Sequence, residues 1–127
     1  MLCPTHRCFD DSLEFVAARV ADDLSLMWSE KLVIVHGIAH FPEGQSHAGE
    51  PFAHAWVEED DLCWDAAMLD GEHVYYSVRR DEFYAWLRID IKDTTRYTVT
   101  DAIDAERASG HFGPWEEKYL ALMGDHA

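Results

Sequence analysis

Positive charge is scarce in this sequence: 10 Lys and Arg stand against 25 Asp and Glu, a formal charge of −15 on 127 residues. Nucleic-acid binding runs on Lys and Arg contacts to phosphate, so a direct nucleic-acid ligand is not expected, and an anionic membrane surface is disfavoured for the same reason. A partner with a basic face, or a role as a nucleic-acid mimic, stays open. Long apolar runs are missing as well. Runs such as Leu32 to Val35 fall far short of the roughly 20 residues of a membrane span. Met1-Leu2-Cys3-Pro4-Thr5-His6-Arg7 lacks the apolar stretch of a signal peptide. Cysteine is rare and odd in number. Cys3, Cys8 and Cys63 cannot all pair within one chain, which argues against a secreted disulfide scaffold and for a reducing, cytoplasmic setting with free thiols. What is present is enough to bury: 48% of residues are apolar and 13% aromatic, so one folded domain over residues 1–127 is expected rather than disorder.

After Cys8, apolar residues at Phe9, Leu13, Val16, Ala17, Val20 and Leu24 form a helical stripe. Asp10 and Asp11 in the first turn suit the positive end of the helix dipole, and the spacing predicts a helix over about 9–23. Leu32 to Ile38 is a β-branched run and predicts a buried strand. Pro42, Gly44, Gly49 and Pro51 mark a loop. Phe52–Glu58 and Leu62–Ala66 then form a hairpin closing at Asp60-Asp61, and Val74-Tyr75-Tyr76 is a third candidate strand entered through Asp70-Gly71. Asp81–Leu87 reads as a short helix and Tyr97–Val99 as a short strand. Thr100 caps a helix stopped by Gly110, and Pro114 opens a last helix running through Met123. This order of elements is α+β.

The hairpin carries the chemical expectation. Paired residues of an antiparallel hairpin have numbers of constant sum, and a two-residue turn pairing Glu59 with Leu62 sets it at 121. His54 and Asp65 give 119, which puts them on one face as diagonal neighbours. Diagonal Cβ atoms about 7–8 Å apart allow an imidazole–carboxylate hydrogen bond. That bond fixes the tautomer and frees the other ring nitrogen as a base. A nucleophile is at hand in Cys8, at a helix start where the dipole favours thiolate, with Asp10 and Asp11 opposing it.

His54-Ala55-Trp56-Val57-Glu58 followed by Trp64-Asp65 resembles the His–Asp hairpin of the transglutaminase-like branch of the papain-like cysteine peptidase superfamily. Cys8-Phe9-Asp10-Asp11-Ser12-Leu13 resembles the Cys-bearing helix start of that group, and the order Cys, His, Asp matches. The resemblance covers roughly residues 6 to 68. It implies a papain/transglutaminase-like core, with an N-terminal Cys-bearing helix packed on an antiparallel sheet and short helices toward the C-terminus. It makes Cys8 the nucleophile, His54 the general base and acid, and Asp65 the orienting carboxylate. The activity implied is cysteine-dependent acyl transfer at a peptide or protein amide without a cofactor, by hydrolysis, deamidation or transamidation. Many relatives carry Pro-Thr after the aspartate, where Ala66-Ala67 stands here, and a glycine is usual in the turn occupied by Asp60-Asp61. The Gly110-His111-Phe112-Gly113-Pro114-Trp115 stretch resembles segments of small bacterial and phage proteins and implies no chemistry.

The Cys8 backbone N–H would serve as one oxyanion donor, and His6, His36 and Gln45 are the candidates for the second or for a supporting role. Cys63, alternating with Trp64, reads as core, as do Trp56, Trp64, Phe83, Trp86 and Tyr97. His111 and Trp115 are expected to stabilise a turn, and Glu58 to Asp61 to form a solvated hairpin tip or an interaction surface. A zinc site through Cys3, His6 and Cys8, or through His40, His47 and His54, lacks a Cys-x-x-Cys and spans a long loop, so no metal is expected. The competing reading is a catalytically inactive, acidic interaction module or inhibitor on the same fold.

Overall fold

A computed structural model describes residues 2–4, 7–44 and 46–123. His6 and Gln45 lie outside the described residues. The order is β1 (Leu2–Pro4), α1 (Cys8–Asp22), a 3-10 turn (Leu24–Trp28), β2 (Leu32–His40), β3 (Pro51–Glu59), β4 (Leu62–Leu69), β5 (Glu72–Arg79), α2 (Arg80–Trp86), a second 3-10 turn (Ile91–Asp93), β6 (Thr94–Thr98), α3 (Val99–Ser109) and α4 (Glu117–Met123). This is an α+β arrangement with one helix ahead of most of an antiparallel sheet. No helix among the described residues is long and apolar enough to cross a membrane.

The strands form one sheet, ordered β1-β4-β3-β2-β6, with β5 on the other edge of β4. Glu59 pairs with Leu62 as expected from a turn at Asp60-Asp61, with Asp60 taking the left-handed backbone (φ 56°) that asparagine or glycine would adopt more readily. The next hairpin turns on Asp70-Gly71, both at positive φ, the backbone for which Asp-Gly is favoured.

The β3–β4 ladder is short. It runs only from Glu59↔Leu62 to Val57↔Trp64, after which the strands part. Farther along, the same edge of β4 pairs with β1 instead, from Pro4↔Ala67 to Leu2↔Leu69. Asp65 and Ala66 therefore face a gap between two partners. A few residues after Pro4, the chain enters α1 at Cys8, beside that gap.

Side chains alternate between two cores. On one face Val16 and Val20 of α1 and Val99 and Ala102 of α3 pack on Leu32, Ile34 and Val57. On the other, Phe83, Leu87 and Ile89 pack on Val33, Val35, Trp56 and Cys63. Cys63 is fully buried, as the alternation with Trp64 requires. Gly37, in the middle of β2, makes room for the second core, because a Cβ there would lie 2.5 Å from Cη2 of Trp56.

Several expectations need correction. Glu58 is no part of a solvated tip: it is 1% exposed. Its carboxylate accepts from Trp56 Nε1 (2.9 Å), the Tyr84 hydroxyl (2.6 Å) and Arg96 (2.6 Å), with Arg80 at 3.4 Å. Burial alone would raise the Glu58 carboxyl, but the Arg96, Tyr84 and Trp56 donors hold it below its ordinary value. Glu59 is tied to Arg19 of α1 at 2.7 Å, so the acids left at the tip are Asp60 and Asp61. The last strand lies at Thr94–Thr98 rather than Tyr97–Val99, and α3 is capped by Thr98, whose hydroxyl accepts from the Asp101 N–H, rather than by Thr100. Pro114 does not open the last helix. It follows a cis peptide with Gly113, and α4 begins at Glu117, after a turn in which Trp115 Nε1 donates to the His111 carbonyl. Trp86 is 47% exposed and so is not core.

Gly37→Ala should overpack the Trp56 side of the sheet and cost about 1–3 kcal/mol, read as a lower urea midpoint at unchanged m-value.

Candidate active site

His54 lies on β3 opposite Gly37, and its side chain leaves the face that carries Trp56 and Glu58. Its Nε2 is 2.7 Å from Asp65 Oδ2, and the two groups are 4% and 6% exposed. The same-face expectation from residue numbering is met, although the two side chains meet across the gap rather than within a continuous ladder. Rings of Phe52, Trp56 and Phe83 surround the imidazole at centroid distances of 5.4, 5.8 and 6.5 Å. They leave it little room to rotate.

Cys8 is the first residue of α1 and 9% exposed, packed with Phe9 and Ala55. Its backbone N–H belongs to the helix-terminal set that has no acceptor inside the helix. Burial would lower the basicity of the His54 ring, but the Asp65 carboxylate and the Cys8 thiol outweigh it and push His54 up to about 10. Because Nε2 is committed to Asp65, Nδ1 is the ring atom left for the sulfur. The structure thus brings Cys8, His54 and Asp65 together.

Asp65 is held from three sides. Oδ1 accepts from the Ala66 N–H at 2.9 Å, satisfying a backbone group in the gap, and Oδ2 also accepts from the Tyr76 hydroxyl at 3.2 Å. Tyr76 is the cross-strand partner of Asp65. Burial and the neighbouring carboxylate push its phenol above the ordinary range, so it stays protonated and donates. Sequence reasoning missed this residue, yet the signal was there. A two-residue turn at Asp70-Gly71 pairs Leu69 with Glu72, and the same register pairs Asp65 with Tyr76.

A second histidine–carboxylate contact anchors the first turn of α1. Asp11 is 2% exposed, its Oδ1 lies 3.2 Å from His73 Nε2 on β5, and its carbonyl is 3.5 Å from the Tyr75 hydroxyl. Asp11 thus lies in the first turn of α1, as expected, and is in addition buried against β5.

His36 is not part of this arrangement. It pairs with Ala55 on the opposite face of the sheet from His54, 1% exposed, with ring contacts to Phe9 (4.8 Å), Tyr97 (4.9 Å) and Trp115 (5.0 Å). Neither ring nitrogen has a hydrogen-bond partner among the described residues, so His36 is no oxyanion donor. His40 and His47 turn elsewhere, to the Arg88 carbonyl and to Glu50. Among the described residues no cluster of three His, Cys, Asp or Glu gathers for a metal.

No protein-family model, curated protein or solved structure matches this chain.

Burial lowers His36 to about 3. The unfolded imidazole titrates near about 6.5, so below that pH the unfolded state holds a proton that the folded state refuses, and stability falls from pH 6.5 toward pH 3. His36→Leu should remove about one proton from the slope of stability against pH over that range. An unchanged slope in paired denaturation series would mean that His36 protonates in the folded protein.

Proposed function

We propose that this chain is a small cysteine-dependent amide acyltransferase with a papain/transglutaminase-like core, working through Cys8, His54 and Asp65. The observation that carries the reading is the position of His54, bonded to Asp65 through Nε2 at 2.7 Å and close enough to the Cys8 side chain for the two to interact. Structural histidine–carboxylate pairs are common, but one placed against a thiol at a helix start has the parts of an activated nucleophile.

In this reading the Cys8 thiol gives its proton to His54, and the sulfur attacks the carbonyl carbon of an amide. The Cys8 backbone N–H donates to the oxygen that becomes negative. His54 then protonates the leaving nitrogen, the C–N bond breaks, and a thioester to Cys8 remains. Water or an amine, deprotonated by His54, attacks the thioester and releases the sulfur. Asp65 holds the imidazolium throughout, and Tyr76 and the Ala66 N–H hold Asp65. The substrate class is a peptide or protein amide, and free thiols suit a reducing, cytoplasmic compartment.

Iodoacetamide labelling of Cys8, mapped by mass spectrometry at pH 6 and pH 8, tests the reading. Fast labelling already at pH 6, lost in His54→Ala, is the expected outcome. Labelling indifferent to His54, rising with pH as for an ordinary thiol near pKa about 8.5, would overturn it. Tyr76→Phe keeps the ring and removes the hydroxyl. Its labelling at pH 6 should slow about three- to tenfold, the worth of one hydrogen bond, with urea stability measured alongside to separate positioning from loss of fold.

A further inference from the structure

The stripe that packs α1 on the sheet is wider than the sheet can cover. Val16 and Val20 are buried, but Leu13, Ala17 and Ala21 on their outer flank line an open trough of about 290 Å³ between α1 and α3. Val99 and Ile103 of α3 form its other wall and Met27 its end. In a 3-10 turn residues three apart eclipse one another, so Leu24, 69% exposed, extends the apolar surface from Met27, and Trp28 beside it is 78% exposed. Single exposed apolar residues are ordinary, but an apolar trough ending at a turn that also exposes a Leu and a Trp marks a contact surface.

Charge selects the occupant. The exposed charged side chains of α1, α3 and the residue after α1 include Glu14, Asp22, Asp23, Asp101 and Asp104 against Arg107. Arg19, half-buried, is already paired with Glu59. A second copy of a chain with charge −15 would be repelled, and so would an anionic lipid surface. Two helix walls with an apolar floor suit a third helix whose apolar residues recur at i, i+3, i+4 and i+7. We propose that this trough is the docking site for an amphipathic helix of a partner protein, apolar face inward and lysine or arginine along both rims. The site is separate from Cys8, His54 and Asp65 and does not depend on their chemistry.

The probe is a synthetic amphipathic Leu/Lys helix of about 18 residues, five turns, titrated into the full chain by calorimetry. Two controls accompany it: the same residues scrambled so that the apolar face is lost, and the same face with Glu in place of Lys. The Lys helix should bind saturably at one site, more weakly as salt rises, and both controls should bind at least about tenfold more weakly. Ala17→Arg and Ala21→Arg place bulk and positive charge at exposed positions in the trough, and each should weaken binding about tenfold or more with the circular dichroism spectrum unchanged. Equal binding of the scrambled peptide, or affinity that survives both arginine variants, would overturn the proposal. So would a dimer of the chain by sedimentation that the arginine variants abolish, since the occupant would then be a second copy.

Discussion

The parting of β3 from β4 is the constraint on which the rest of the site depends. A continuous ladder would cover the backbone of Asp65 and Ala66 with another strand and leave the helix no way in. Because β1 takes over the same edge of β4 from Ala67 onward, the opening is confined to the Asp65–Ala66 stretch, and the chain leaving Pro4 reaches Cys8 within a few residues. A helix packed on one face of the sheet can then place its first side chain against an imidazole that leaves from the other. The opening has a cost, since an uncovered strand edge exposes unpaired backbone groups. Asp65 offsets part of it by accepting from the Ala66 N–H with the carboxylate oxygen that His54 does not use.

Burying a carboxylate is unfavourable unless several donors replace water. Two such groups lie on the same face, Glu58 and Asp65, and they are satisfied differently. Glu58 is met by guanidinium groups from Arg96 and Arg80 together with a phenol and an indole, a set that locks β3 to β6 and α2. Asp65 is met by a phenol, a peptide N–H and an imidazole. Of these three donors the imidazolium is the strongest acid, so it is the one that can hand a proton to a reacting group. The first cluster fixes the frame, and the second is the one whose charge can change during a reaction.

Much of this was legible because it is local. The stripe from Phe9 to Val20, the two-residue turn at Asp60-Asp61 and the parity of His54 and Asp65 follow from periods of 3.6 and 2, and the helix came out at Cys8–Asp22 against an expected 9–23. What escaped depends on residues distant in sequence. Nothing near Glu58 announces Arg96, 38 residues away. A three-residue β1 has no periodicity to read, so the end of the β3–β4 ladder was invisible with it. Pro114 fits a helix start by local preference, but its neighbour Trp115 packs on His36 and α4 begins only at Glu117. Gly113 has no room for a Cβ, which would lie 2.8 Å from the His36 ring.

His36 and His54 show how far environment outweighs residue type. They sit on adjacent strands, at Ala55 and Gly37 in the β2–β3 register, and emerge on opposite faces. One is walled by Phe9, Tyr97 and Trp115 with no polar partner among the described residues, and burial keeps it neutral. The other is also buried among aromatic rings, yet one carboxylate at 2.7 Å reverses the outcome and favours the charged ring. Aromatic walls are common to both, so they cannot be the source of the difference. The difference lies in Asp65, and Asp65 is available because β4 is free of β3 at that residue. An imidazole held ready to carry charge beside a thiol is thus a consequence of strand pairing, and the other histidine marks the state it would have without that carboxylate.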